Sequence, residues 1–278
     1  MRGRVIHTGN PAKFVLLLLC GIVAATACRN AVRGHWESVM TCILTLMLFL
    51  IPAFIGKQLH IRLPAAMEVT FLIFIFCAEV LGEIACFYVK YPLWDTMLHT
   101  VNGFLFAAFG FCLADLLNEN PRLKFQLSPQ FTALAAFCFS MTVGILWEFF
   151  EFSMDRLLAL DMQKDTLITA FHSVALNESG ENTPLPVEHI TRTVIETADG
   201  KQIILNGYLD IGLTDTLKDL FVNFIGAAVF SVLGGIYVAR RGKSGFAAAF
   251  IPVVEPVTAQ SAKEYNSYEK NNKGKMEA

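Results

Sequence analysis

Six apolar stretches, each close to the length of a bilayer crossing, decide what this chain can fold into. They run from Phe14 to Cys28, Val39 to Ile55, Ala65 to Tyr88, Thr96 to Leu117, Phe131 to Leu158 and Leu217 to Ala239. A helix needs about 20 mostly apolar residues to span the hydrocarbon core. In lipid the backbone must satisfy its own hydrogen bonds, which leaves helices or closed barrels. The chain is 54% hydrophobic and only 17% charged, where soluble domains carry about 25% charged residues. The expected fold class is all-α: a polytopic membrane helix bundle with six transmembrane helices over residues 1–243. A net charge of −2 gives no general attraction to nucleic acid. Cys20, Cys28, Cys42, Cys77, Cys86, Cys112 and Cys138 lie in or beside apolar runs, without C-x-x-C spacing. They read as small apolar side chains, not as a disulfide frame or a zinc site.

Lysine and arginine in the short loops set the direction of threading. Arg2, Arg4 and Lys13 precede the first span, and Lys57 and Arg62 join the second and third. Arg122 and Lys124 join the fourth and fifth, and Arg240, Arg241 and Lys243 follow the sixth. Arg29, Arg33 and Lys90 fall on the other side. The expected setting is a cell membrane, multi-pass, with both termini cytoplasmic. The first stretch has a rival reading, because its basic start and Ala25-Thr26-Ala27-Cys28 also suit a cleaved signal peptide. Five spans follow it, so an uncleaved helix is expected.

Residues 159–212 form a long insertion, expected on the extracytoplasmic side. Asn177 to Asn182, Pro184 and Pro186 are turn material. Thr191 to Glu196 and Gln202 to Leu205 flank Asp199-Gly200, which predicts a short β-hairpin. Asn177-Glu178-Ser179 is a glycosylation tripeptide, a common coincidence. The tail, residues 244–278, has a short apolar piece from Phe246 to Val254 and is otherwise polar; it is expected to be disordered in the cytoplasm. No internal repeat is visible, which weighs against inverted-repeat transporters.

Four polar clusters sit at the ends of these spans: Glu79/Glu83, Trp94-Asp95 with His99, Trp147-Glu148 with Glu151 and Asp155, and Asp215 with Asp219 and Asn223. The third and fifth spans run one way and the fourth and sixth the other, so all four clusters reach the same leaflet whichever way the chain is threaded. Residues three, four and seven apart share a helical face, which aligns each cluster. Glu148 lies about 10 Å of helix rise inside Asp155. Ionisable groups at such depth are costly and usually functional. The eight carboxylates have few cationic partners, namely Arg156, Lys218 and an ionised His99. Either protons or a divalent cation must balance them. Asp, Glu, His and Asn suit Mg²⁺, Mn²⁺ or Zn²⁺. Capping remains an alternative for Asp95 and Asp215, because Asp is a preferred N-cap. Gly103, Gly110, Gly144, Gly226 and Ala227 can let helices approach closely.

Trp94-Asp95-x-x-x-His99, Trp147-Glu148-x-x-Glu151 and Asp215-x-x-x-Asp219-x-x-x-Asn223-x-x-Gly226-Ala227 resemble the YjdF-like bacterial inner-membrane proteins. More distantly they resemble the VanZ-like family, whose pattern is Asp then His, Glu then Gln three residues on, and Asp-x-x-x-Asn-x-x-Gly. Glu151 stands where that pattern has Gln. The resemblance runs over Tyr91 to Ala239, outside the insertion. It implies a bacterial envelope membrane protein and names no reaction.

The expected function is an acidic pocket facing the outer leaflet that binds or modifies an envelope substrate, such as a lipid head group or a lipid-linked precursor. Asp95, His99, Glu148 and Asp219 are the expected metal ligands. His99 and Glu148 are the candidate acid–base groups. Glu83, Trp94, Glu151, Asp155 and Asn223 are expected to line the substrate. Membrane lipid is the expected partner. Two alternatives use the same residues: a proton- or cation-coupled transporter, and a non-catalytic membrane scaffold. The inner halves of the fourth to sixth spans are nearly all apolar, apart from Asp115, which argues against a relay across the bilayer.

Overall fold

The computed structural model describes residues 11–59, 61–119, 127–239, 246–251 and 253–254. Arg2, Arg4, Arg122, Lys124, Arg240, Arg241 and Lys243, which carry part of the orientation reading, lie outside the described residues, as does the tail from 255 onward.

Among the described residues, six helical segments are long and apolar enough to cross a membrane. The first is α1 (Pro11–Val32). It begins at a proline, whose missing N–H costs nothing at a helix start. The second crossing is two helices, α2 (Trp36–Leu48) and α3 (Ile51–Leu59). Pro52 explains the break: it has no N–H to give to the Leu48 carbonyl, and its ring crowds that carbonyl. β1 (Ile61–Arg62) follows.

The third crossing starts as α4 (Ala65–Phe76) and continues as a π-helix over Cys77–Ile84. It carries Glu79 and Glu83. Cys86 then takes a left-handed turn (φ 59°), and the short α5 (Phe87–Lys90) follows. Gly82 is required by the packing: a Cβ there would enter the Tyr88 ring. The last three crossings are α6 (Trp94–Glu119), α7 (Pro129–Leu158) and α8 (Leu213–Ala239). α8 starts four residues before the apolar run suggested, which brings Asp215 inside the helix.

α7 and the first turns of α8 bury mainly small and polar residues and expose many of their large apolar ones. On α7 the buried positions are Thr132, Ala136, Ser140, Gly144, Glu148 and Glu151, while Leu146, Phe149 and Phe152 are more than half exposed. On α8 the buried face is Asp215, Asp219, Asn223, Gly226, Ala227 and Phe230, and Leu217, Phe221 and Val232 point out. Water would reject that arrangement. Lipid accepts it, because apolar side chains gain nothing there by being hidden and small residues let backbones pack.

The chain forms two compact units. One comprises Met1–Lys90, Ala108–Ala136 and Phe230–Ala278. Leu19, Val23, Cys42, Phe49, Leu72, Ile75 and Val80 form a core in it. Phe111 meets Phe230 edge-on, with ring centroids 6.3 Å apart. The start of the tail is folded rather than loose. Phe246–Ala249 makes a 3₁₀ turn, and β8 (Val253–Val254) pairs antiparallel with β1, Arg62 opposite Val253. The other unit comprises Tyr91–Ala107 and Phe137–Val229.

The insertion belongs to this second unit. β5 (Thr193–Glu196) and β6 (Gln202–Leu205) form the expected hairpin, Glu196 opposite Gln202. Two further pairs accompany it. β2 (Leu167–Ile168) pairs with β7 (Tyr208–Leu209) at the base, and β3 (Phe171–Ser173) pairs with β4 (Leu185–Val187). The Asn177 tripeptide lies in the turn between β3 and β4, where the Asn177 amide donates to the Thr183 carbonyl at 2.7 Å.

Candidate functional site

The register of α6, α7 and α8 is set at one level by close backbone packing. A Cβ on Gly103 would collide with the Asn223 carbonyl, and one on Gly226 with the Thr100 carbonyl. α6 and α8 thus touch main chain to main chain. α7 joins through Ser140, whose hydroxyl donates to the Gly103 carbonyl at 2.7 Å. At Gly144 a Cβ would fall 2.7 Å from the Asn223 side-chain nitrogen. Asn223 is fully buried between them. It accepts from the Asn102 amide at 3.0 Å and donates to the Met141 sulfur at 3.6 Å.

One to two turns toward the insertion, this packing opens onto His99. Its Nε2 lies 3.5 Å from Asp95 and 4.0 Å from Asp219, and its Nδ1 lies 4.0 Å from Glu148. Two groups therefore share one imidazole: Asp95–His99–Asp219, and His99–Glu148–Glu151. In each, one donor atom per residue lies within 4.8 Å of the others. Asp219 is 1% exposed and Glu148 4%. Both Glu148 oxygens and Asp219 Oδ1 are buried without a hydrogen-bond partner among the described residues. The Lys218 ammonium stands 3.9 Å from that Asp219 oxygen and 3.7 Å from Asp215. Gln163 and Thr216 lie near Glu148, yet bond to each other at 2.5 Å. Trp147 donates its indole N–H to Glu151 at 2.9 Å, and its ring packs on Phe150, centroids 5.2 Å apart.

The chain between α7 and β2 is laced to both helix ends by carboxylates. Asp155 accepts the Met162 and Gln163 amides at 2.6 and 2.9 Å. Asp215 accepts the Lys164 amide at 2.8 Å. Asp210 accepts the Thr166 amide at 2.8 Å and the Thr214 amide at 3.0 Å. Partial burial works against the Asp210 charge, but its hydrogen bonds from Thr214, Thr166 and Gly212 outweigh it and hold its carboxyl below the ordinary value. Asp165, beside it, is pushed the other way, by burial first and then by Asp161, Asp210 and Asp155. Ile211 and Gly212 both have positive φ, 55° and 81°. That conformation is strained for a β-branched residue. The turn is tight because Gly212 abuts Gln163, whose Cβ would lie 2.7 Å from one on the glycine.

Residues 12–240 match the family described as "Predicted membrane protein (DUF2238)". The chain belongs to this family. It is also 28% identical over 102 residues to an "Uncharacterized protein" of Thermotoga maritima. That match takes in 37% of this chain and spans about half the length of the relative, 50%. No solved structure matches. The YjdF-like resemblance and the DUF2238 match describe the same family.

In this DUF2238 protein three of the expected ligands, Asp95, Glu148 and Asp219, stand around the imidazole of the fourth, His99. Glu151, expected among substrate-lining residues, joins the same set. Asn223 and Asp155 are occupied otherwise. Asn223 locks three helices together, and Asp155 holds backbone amides of the following loop. Trp94 is half-buried at the first position of α6. Glu83 is exposed and lies in the other unit, on the π-helix with half-buried Glu79. Asp215 does not cap α8. Asp210, which precedes the helix and takes the Thr214 amide, does so. Thr132, Ala136 and Ser140, which complete a period-four ladder with Gly144, went unread in the sequence. Small residues every fourth position, leading to Glu148, were the available sign.

Proposed function

We propose that the His99 centre holds a divalent cation and uses it to bind or modify an envelope substrate, such as a lipid head group or a lipid-linked precursor. The observation that carries this reading is the spacing around the imidazole. A proton shared between charged partners draws them to about 2.7–2.9 Å, whereas these carboxylates stand 3.5 to 4.0 Å from the ring nitrogens. Two donors each about 2.1 Å from a tetrahedral ion would be about 3.4 Å apart. The two Glu148 oxygens, buried without a hydrogen bond among the described residues, support it too, because burying a carboxylate without such a bond is costly; Asp219 Oδ1 also lacks one but has the Lys218 ammonium at 3.9 Å.

Asp95, His99 Nε2 and Asp219 are the ion-holding side. Glu148 stands on the Nδ1 side, 4.0 Å from that nitrogen, and is the candidate base. A bound cation supplies Lewis-acid polarisation of a phosphoryl or carbonyl oxygen. The positive loops and the VanZ-like order of Asp95/His99, Glu148 and Asp219/Asn223/Gly226 favour a bacterial cell membrane, cytoplasmic termini and a centre beneath an extracytoplasmic insertion.

Elemental analysis of the purified full-length protein tests the reading. One bound divalent ion per chain is expected, lost in His99→Ala and in Asp219→Asn while the variants still elute as the folded protein. Wild type free of divalent metal, with a thermal midpoint indifferent to added chelator and to added Zn²⁺ or Mn²⁺, would exclude it.

A further inference from the structure

A cleft of about 690 Å³ opens where the second and third spans join. It shares no lining residue with the His99 centre. Its walls come from the end of α3, from β1 and the start of α4, with Ala248 of the tail closing one side. Pockets for small ligands run about 300–1,000 Å³, so the space suits a head group rather than an ion.

Among the described lining residues, cations outnumber acids two to one. Lys57 and Arg62 line the cleft, with Glu68 the one acid among the described lining residues, and Lys13 of α1 also acts on that carboxylate. α4 begins here at Pro64–Ala65, and no side chain caps it. Its first N–H groups add partial positive charge to the same wall. Arg62 is held in place on a paired strand, opposite Val253, and Gly56 brings α3 close to the Ile61 carbonyl. Beside the cations the lining is apolar: Pro52, Ala53 and Leu63. Two apolar spans end at this point, the depth at which lipid phosphates lie.

We propose that this cleft binds a phosphate group presented by an anionic lipid. Lys57 and Arg62 supply positive charge to the phosphate oxygens, and the apolar wall takes the glycerol and first methylenes. A free phosphate would use only the cationic half. Basic pockets at membrane helix ends hold anionic head groups on the same physical grounds.

The test uses full-length protein in detergent, with native mass spectrometry counting retained lipid. Phosphatidylglycerol and phosphatidylcholine are compared in one arm, and inorganic phosphate and glycerol phosphate in the other. Wild type should retain phosphatidylglycerol over phosphatidylcholine, by about fivefold for each basic residue engaged. Lys57→Gln with Arg62→Gln should reduce that preference to the phosphatidylcholine level, whereas Lys57→Arg with Arg62→Lys should keep most of it. Should the double glutamine variant fail to fold, Lys57→Gln alone carries the comparison. An unchanged preference in the glutamine variants overturns the proposal. Equal retention of both lipids, with inorganic phosphate binding tightly, overturns the lipid assignment and leaves a free-anion site.

Discussion

At the scale of single residues, two glycines and a tryptophan carry sharp expectations. Gly226→Ala puts a methyl group into the Thr100 carbonyl, so α6 and α8 must part. Overpacking of that kind costs about 1–3 kcal/mol, read as a lower thermal midpoint in detergent. Gly21→Ala is the control: nothing lies within 4 Å of its Cβ, and a change within about 0.5 kcal/mol is expected. Trp147→Phe keeps a ring against Phe150 but removes the 2.9 Å donation to Glu151. A hydrogen bond of this kind contributes about 0.5–1.5 kcal/mol, so the variant should unfold earlier by a comparable amount. An unchanged midpoint would mean that Glu151 finds another donor. The sequence already grouped Asp95, His99, Glu148 and Asp219, because helical spacing and antiparallel threading suffice to bring them to one level. It set Asp155 and Asn223 apart as substrate-lining and Asp215 as a possible cap, without showing which partners they take. Those three bind main-chain amides or a neighbouring helix, and partners of that kind leave no trace in residue type.

At the scale of elements, the base of the insertion carries a pH dependence that can be read amide by amide. Asp210 joins β2 to the start of α8 through the Thr166 and Thr214 amides. Its carboxyl is held below the ordinary 3.8, so its contribution is fully present above that value and is lost as pH falls through the lower folded value. Protection of the Thr166 and Thr214 amides from hydrogen exchange should therefore drop in acid. In Asp210→Asn it should be reduced at neutral pH and show no such acid step. Acid-independent protection in wild type would contradict this. The hairpin β5–β6 was legible from Asp199-Gly200 between β-branched strands. The pairs β2–β7 and β3–β4 were not, since their partners are distant in sequence and each strand is two or three residues long. α8 was read as starting too late because Asp215 interrupts the apolar run that marks a span.

For the whole molecule, the span count leaves residues 159–212 and the termini on opposite faces of the bilayer. With native cysteines replaced, Asp199→Cys at the hairpin turn should react with a membrane-impermeant thiol reagent applied to intact cells. Reaction only after permeabilisation would invert the threading and place the His99 centre on the cytoplasmic side, without disturbing its geometry. Count and approximate position of the spans were legible because lipid imposes length and apolarity on each. The π geometry of Cys77–Ile84 was not, since a change of hydrogen-bond partner by one position alters no composition. Yet that stretch decides where an acid pair points. An α-helix advances about 100° per residue, so removing a single residue near Cys77 would swing Glu83 by more than a quarter of a revolution relative to Phe76. A wider coil of this sort acts like a vernier in the third span: its length in residues, not its chemistry, sets the bearing of both carboxylates.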